Sequence, residues 1–361
     1  MMFERFFKNF DFLILSCVLA ISAFSLLILW SIKPDFFGQQ LTFFLVGFFL
    51  FFLFSQIDYR LFAHLRWPIY FSICLILSAT LLFAPQTRGA ARWIEIGPWH
   101  FQSSEILKPF LILAVAGLVG SFSSIGFKRL FFVSALLAFP ALLIFKQPDL
   151  GNSIIFLIIF VSILFIGGLR IILMVGGLFL TLGVIPIFWQ FLRDYQKARV
   201  ISFLNPQADP LGTGYHLIQA MVTVGSGQIF GRGLGRGTQS HLRFLPEQHT
   251  DFIFASLAEE LGFLGATLLL ILFTLLLWRI LVIAKKTKEP FGILILTGVF
   301  TMILAQVFIN IGMSLGLLPI TGITLPLMSY GGSSIISAMI SLGIVESIAR
   351  EKKRGETLEI R

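Results

Sequence analysis

The chain predicts an all-α polytopic membrane protein of about ten transmembrane helices, with both termini cytoplasmic and one large extracytoplasmic loop before the eighth helix. Three observations carry this. Of 361 residues, 57% are hydrophobic and only 12% charged, where a soluble domain carries about 25% charged residues. The apolar residues gather into runs near the roughly 20 residues that cross a hydrocarbon core of about 30 Å. The larger share of the 27 basic residues falls in the breaks on the side of the two termini, which marks that side as cytoplasmic.

Taken in order, the runs lie near 12–32, 36–55, 67–84, 104–122, 129–146, 150–169, 171–191, 252–283, 291–317 and 323–348. The first is too long for a signal-peptide core and lacks a small-residue cleavage site, so it reads as an uncleaved helix. Pro140 and Pro186 fall inside the fifth and seventh runs, where a helix is expected to kink. Gly167-Gly168-Leu169-Arg170 reads as a tight turn between helices. The charged tail, 350–361, is cytoplasmic. The whole of 1–361 reads as one transmembrane domain. Cys17 and Cys74 both lie in apolar runs, away from metal-ligand partners, and a disulfide framework is not expected. The net charge of +9 reports orientation, and no nucleic-acid-binding module accompanies it.

Two outer segments stand out, Gln86 to Ser103 and the long loop of about 193–250. The long loop holds most of the outer basic residues. Positive charge on the disfavoured side reads either as ordinary solvated loop or as a surface for an anionic ligand at the outer leaflet. Asp194 to Leu204 reads as a short helix and Tyr215 to Val224 as an amphipathic one at the interface. Gly225 to Gly237 must turn. Its Gly231-Arg232-Gly233-Leu234-Gly235-Arg236-Gly237 run lacks the Lys-Ser/Thr and the preceding strand of a nucleotide site. His216, His241 and His249 lack zinc spacing.

Two clusters could carry chemistry. In the first, Thr250 reads as the N-cap of the eighth helix, with Asp251 in its first turn. Asp251 is then either a dipole-stabilising carboxylate or an acid held at the outer face beneath an Arg-rich loop. Glu259 and Glu260 follow about 12 Å further along the helix, at a depth where charges face a cavity or a partner. The second cluster is Arg88, Arg92 and Trp93 with Glu105 and Lys108. The last two are i, i+3 and share a helix face, as an ion pair that orients the helix or as site residues.

Four blocks resemble one family. They are Thr87 to Ile94 with Gln102 to Lys108, then Tyr195-Gln196 through Arg199 with Phe203-Leu204-Asn205-Pro206, Asp209-Pro210, Gly212 and Gly214-Tyr215. Next come Gly237-Thr238-Gln239-Ser240 with Phe244-Leu245-Pro246-Glu247 and His249-Thr250-Asp251-Phe252. Last are Asn310, Pro319-Ile320-Thr321-Gly322, Leu325-Pro326-Leu327 and Ser329 to Ser334. In this order they resemble the SEDS family (shape, elongation, division and sporulation), and the third block leans to its RodA-type members over the FtsW type. Ser103-Ser104 and Gln219-Ala220 depart from the usual Pro-Ser and Gln-Ser pairs.

The resemblance implies polymerisation of lipid II into glycan strands at the outer face of the cytoplasmic inner membrane, for elongation and rod shape. Such a glycosyltransferase inverts the anomeric carbon as undecaprenyl diphosphate leaves. Asp251 falls on the family's essential acid and is expected to be catalytic, as a base or as a metal ligand. Arg88, Arg92, Trp93, Glu105, Lys108, Arg199, Arg243 and Glu247 are expected to bind substrate, with or without a divalent cation such as Mg2+ or Mn2+. The partners implied are lipid II, the lipid-linked glycan chain, a class B penicillin-binding protein and elongation-complex membrane proteins. The alternative is a lipid II flippase, which needs a polar pathway through the membrane; Glu259 and Glu260 keep it open. A non-enzymatic scaffold would need no acid at the outer face.

Overall fold

The computed structural model describes residues 10–85, 92–97, 99–121, 126–212, 214–242 and 244–359. The elements are α1 (Phe12–Ile32), α2 (Phe37–Gln56), α3 (Leu61–His64), α4 (Arg66–Phe83), β1 (Trp93–Ile96), β2 (Trp99–Gln102), α5 (Ser103–Ile106), α6 (Lys108–Val119), α7 (Phe127–Lys146) and α8 (Leu150–Ile166). They continue with α9 (Ile171–Phe191), α10 (Asp194–Leu204), α11 (Tyr215–Ser226), α12 (Thr238–His241), α13 (Ile253–Lys286), α14 (Pro290–Ser314) and α15 (Gly332–Glu359). Seven helices among the described residues are long and apolar enough to cross a membrane, and α6 and α8 are shorter apolar helices. With the 21-residue apolar α9, each predicted span falls on one of them.

The structure revises three boundaries. The segment before the fourth span is not plain loop: Trp93–Ile96 pairs antiparallel with Trp99–Gln102, Trp93 opposite Gln102. Trp and Ile favour a pleated surface, and Gly97 at φ 62° allows the turn. The fourth span is broken at Leu107 into α5 and α6, with Pro109 at the start of α6 where a helix tolerates proline. The last span starts at Gly332, not 323. Residues 323–331 are apolar but hold Pro326, and Gly331 has φ 154°, so they form a loop.

α15 is the axis of the bundle, with 94% of its apolar span buried. It packs chiefly on α2, and small residues let the two backbones approach. A Cβ on Gly343 would lie 2.6 Å from the Phe51 carbonyl oxygen, and one on Gly47 2.9 Å from Met339 Cγ. At the cytoplasmic end Arg279 pairs with Asp11 at 2.6 Å. There Tyr59 and Arg60 both donate to Glu289, at 2.6 and 2.8 Å.

α13 is interrupted at Gly262, whose φ of 66° and ψ of −164° are not helical and suit glycine alone. The Gly-rich loop after α11 fills the gap. Arg232 and Gly233 N–H groups donate to the Glu259 and Glu260 carbonyls, at 2.9 and 3.0 Å, while Phe263 and Leu264 N–H groups donate to the Gln228 and Ile229 carbonyls. Backbone groups that a helix break frees near lipid need such partners.

Candidate functional site

Thr250 does not cap α13. The helix begins at Ile253, and residues 247–252 form a turn in which the Thr250 and Phe252 N–H groups donate to the Glu247 carbonyl. The Thr250 hydroxyl also turns back to Glu247, 3.2 Å from its carbonyl and 3.3 Å from its carboxylate. Glu247 has φ 48°, a left-handed conformation that costs a non-glycine residue energy. Asp251 therefore sits on a strained junction rather than inside a helical turn.

The junction is laced to the loop ahead of α15. The buried Asn310 amide on α14 donates to the Asp251 carbonyl at 2.9 Å and the Ile323 carbonyl at 2.7 Å. The Ser329 hydroxyl donates to the Thr250 carbonyl at 2.7 Å, and Tyr330 N–H to the His249 carbonyl at 2.9 Å. His249 packs on Phe36 and Tyr330, with ring centroids 5.2 and 5.7 Å away, and those two rings touch each other, their centroids 4.7 Å apart. Burial pushes its imidazole below the usual pKa; Lys33 adds to that and Glu247 opposes it.

These restraints aim Asp251 at a space shared with α10. A Cβ on Gly322 would lie 3.6 Å from Asp251 Oδ2 and 4.0 Å from Arg199 Nη1. The carboxylate and guanidinium thus face one point from opposite elements, and Gly322, at φ 74°, keeps it open. Arg199 lies 5.8 Å from the centroid of the Tyr195 ring one turn back, a cation–π contact. Partial desolvation and the Arg199 charge lower the His216 pKa against the pull of Glu247, so His216, Arg199 and Glu247 share one field at this mouth.

Glu105 and Lys108 form the second cluster. Their side chains pair at 2.6 Å, and both are buried, Lys108 completely. They are joined to the first cluster through other residues. Arg92, at the root of the hairpin, holds its guanidinium carbon 6.0 Å from the Trp93 ring centroid, and its buried Nε has no hydrogen-bond partner. Arg88 and Arg243 lie outside the described residues.

Sequence reasoning missed Asp149. It is 5% exposed, and its Oδ2 accepts from Gln102 Nε2 at 2.6 Å, Ser104 Oγ at 2.8 Å and Asn152 Nδ2 at 2.9 Å. The available signal was an acid directly before an apolar run, an N-cap position; Oδ1 does accept the Asn152 N–H at 3.3 Å.

Glu259 and Glu260 are fully buried and belong to the loop, not to this mouth. Glu259 accepts from Gln239 N–H at 2.8 Å, Ser240 N–H at 2.9 Å and Ser240 Oγ at 2.7 Å. Glu260 meets His241 Nε2 at 2.8 Å and the Gly235 N–H at 3.2 Å. Among the described residues no group of three or more His, Cys, Asp or Glu side chains could hold a metal. Any divalent cation here would take most of its ligands from substrate and water.

The comparisons with known proteins agree with this architecture. The chain is 40% identical over 352 residues to the peptidoglycan glycosyltransferase MrdB of Escherichia coli K12, covering 96% of this chain and 95% of that protein. It is 36% identical to the stage V sporulation protein E of Bacillus subtilis, covering 86% of each. Among solved structures, a chain from a peptidoglycan synthase complex that coordinates polymerization and crosslinking superposes with a TM-score of 0.84 at 32% identity, covering 95% of this chain and 98% of that one. The rod shape determining protein RodA of Thermus thermophilus superposes with a TM-score of 0.72 at 30% identity, covering 95% and 97%. With residues 5–354 matching the cell cycle proteins FtsW, RodA and SpoVE, the chain belongs to that family, a multi-pass membrane protein of the SEDS type.

Proposed function

We propose that this protein is a peptidoglycan glycosyltransferase that polymerises lipid II at the outer face of the cytoplasmic membrane, in the service of elongation and rod shape. The observation that carries the reading is the convergence of Asp251 and Arg199 on Gly322. An acid and a cation face the same open point, at a mouth where a lipid-tethered sugar diphosphate can arrive laterally. The names of the relatives point the same way.

In this reading Asp251 takes the proton from the 4-hydroxyl of the acceptor sugar as its oxygen attacks the anomeric carbon of the donor. The bond to diphosphate breaks from the opposite face, and the electron pair leaves with undecaprenyl diphosphate. That leaving group needs positive charge more than a proton. Arg199 supplies it at the mouth, and Arg88, Arg92, Lys108 and Arg243 are the further cations assigned to substrate. Trp93, Glu105 and Glu247 complete the binding surface. A Mg2+ or Mn2+ ion, when bound, would be held by the Asp251 carboxylate and would supply positive charge to the leaving diphosphate, since such ions are usually held by one or two carboxylates plus substrate phosphates. The partner assigned is a class B penicillin-binding protein that crosslinks the product, with elongation-complex membrane proteins around it. The synthase complex whose chain superposes on this one couples polymerization to crosslinking, which supports that pairing.

A flippase would need Glu259 and Glu260 on a membrane pathway. Their bonds to the loop backbone favour a structural role instead. The test is incubation of the purified protein and its transpeptidase partner with labelled lipid II. A glycan ladder on a gel is expected from wild type and none from Asp251→Asn; translocated but unpolymerised lipid II from wild type overturns the assignment.

A further inference from the structure

We infer that Asp149 is a positioning residue for the transfer reaction, the hub that sets the Glu105–Lys108 arm of the site against the Asp251–Arg199 arm. The inference rests on the site reading above and adds to it a residue that touches no substrate.

The corner Pro148–Asn152, between α7 and α8, meets both arms. On one side, three donors from three elements, β2, α5 and α8, converge on the single oxygen Asp149 Oδ2, those of Gln102, Ser104 and Asn152. Ser104 Oγ accepts a further bond from Asn152 Nδ2 at 3.1 Å, and Ser104 directly precedes Glu105, the partner of Lys108. The N–H of Gln102 donates to Ser333 Oγ at 2.8 Å, which sews the same strand to the start of α15. Moving Ser104 therefore moves the carboxylate that holds Lys108.

The other side of the corner reaches the second arm. Tyr195 donates its hydroxyl to the Pro148 carbonyl at 3.1 Å, and its ring carries Arg199. Gly151 presses on the loop that holds Gly322: a Cβ there would lie 2.8 Å from both the Thr321 carbonyl oxygen and Ile323 Cγ1. The Ile323 carbonyl is bound to the Asn310 amide, which also holds the Asp251 carbonyl. Each arm thus needs one or two residues to reach the Asp149 corner, and the corner has no slack because Asp149, Ser104 and Asn152 are all buried.

The chemistry explains why an acid occupies the corner. An ionised carboxylate is an acceptor with lone pairs to spare, and it can satisfy three donors on one oxygen while its other oxygen caps α8. Asparagine has a single carbonyl oxygen: at the Oδ2 position it keeps the three side-chain donors but turns its NH2 group on the Asn152 N–H, and reversed it turns the NH2 group on all three. A misplacement of about 1 Å in a reacting constellation can cost on the order of 10²-fold in rate. The cost of loosening this corner should therefore appear in turnover.

The experiment measures lipid II polymerisation with the partner present in Asp149→Asn, Ser104→Ala, Ser104→Thr and Asp251→Asn, with Tm and partner association of each. Asp149→Asn is expected to lower kcat on the order of 10²-fold with KM little changed. Ser104→Ala is expected to lower kcat about tenfold by the same effect, and Ser104→Thr, which keeps the hydroxyl, to restore it. Should Asp149→Asn fold poorly, the Ser104 pair decides. Wild-type kcat in folded Asp149→Asn, or in Ser104→Ala, with Asp251→Asn inactive, overturns the positioning role and spares the site reading. An active Asp251→Asn overturns the site reading and this inference with it.

Discussion

Two groups of carboxylates stand eight to nine residues apart at the outer end of α13, and they do opposite things. Glu259 and Glu260 are fully buried, Glu259 accepting from the main-chain N–H groups of Gln239 and Ser240 in α12 and Glu260 from that of Gly235 in the Gly-rich loop. Asp251 is partly exposed, sits on a strained turn beside Glu247 and faces Arg199 across Gly322. Glu259 meets fixed donors on both oxygens and holds structure, whereas Asp251, anchored through its own carbonyl by Asn310, stays partly exposed at the mouth. Depth in the membrane alone did not separate the two, since charge at such a depth reads as functional by default.

The comparison breaks first at Asp251. Asp251→Asn keeps the shape and removes the charge. Loss of a general base is expected to reduce glycan formation about 10²–10⁴-fold, with Tm near wild type by differential scanning fluorimetry. Near-normal polymer would move Asp251 into the structural class.

Glu105 and Lys108 sharpen the contrast because they share both characters, being buried yet on the site side. Alanine at either one leaves an unpaired buried charge and is expected to cost about 3–5 kcal/mol, read as loss of folded protein. Exchanging the two residues restores the pair. If Lys108 serves the diphosphate, the exchanged protein folds and stays inactive; recovery of full polymerase activity would refute the substrate role.

Glu259 should respond in stability rather than rate. Glu259→Gln weakens bonds from Gln239 and Ser240 and is expected to cost about 1–3 kcal/mol, with kcat per folded molecule within a few-fold of wild type. A selective fall in kcat at unchanged Tm would bring Glu259 into the reaction. The smallest effect belongs to His249. Its folded pKa lies below the ordinary value of about 6.5, so the unfolded chain binds more protons in between. Stability should hold above pH ~6.5, fall as pH drops toward the depressed value, and level off below it. Thermal melts across that window should show a slight decline that His249→Gln removes.

Much of this was legible in the sequence. The ten apolar runs fall on helices because a hydrocarbon core demands long apolar stretches, even where Leu107 and Gly262 break the helix, and the i, i+3 spacing brought Glu105 onto Lys108 at 2.6 Å. Residues 323–331 misled because hydropathy does not register that Pro326 and Gly331 stop a helix. Thr250 misled because its hydroxyl finds Glu247 before it finds a free helical N–H. Asp149 was hidden by distance along the chain: Gln102 and Ser104 lie more than forty positions from it, and only packing brings them together.

The break at Gly262 bears on where this chain can change length. Four main-chain bonds splice residues 228–233 to 259–264 in fixed register, so one residue inserted there would shift every pair and strand amide groups at the lipid boundary. Around Leu211, which is 89% exposed, the main-chain bonds among the described residues are local turns such as Gly212 N–H to the Asp209 carbonyl. Single-residue insertions should be better tolerated at 206–212 than at 228–235, and that pattern can be read from an insertion library scored for folded protein.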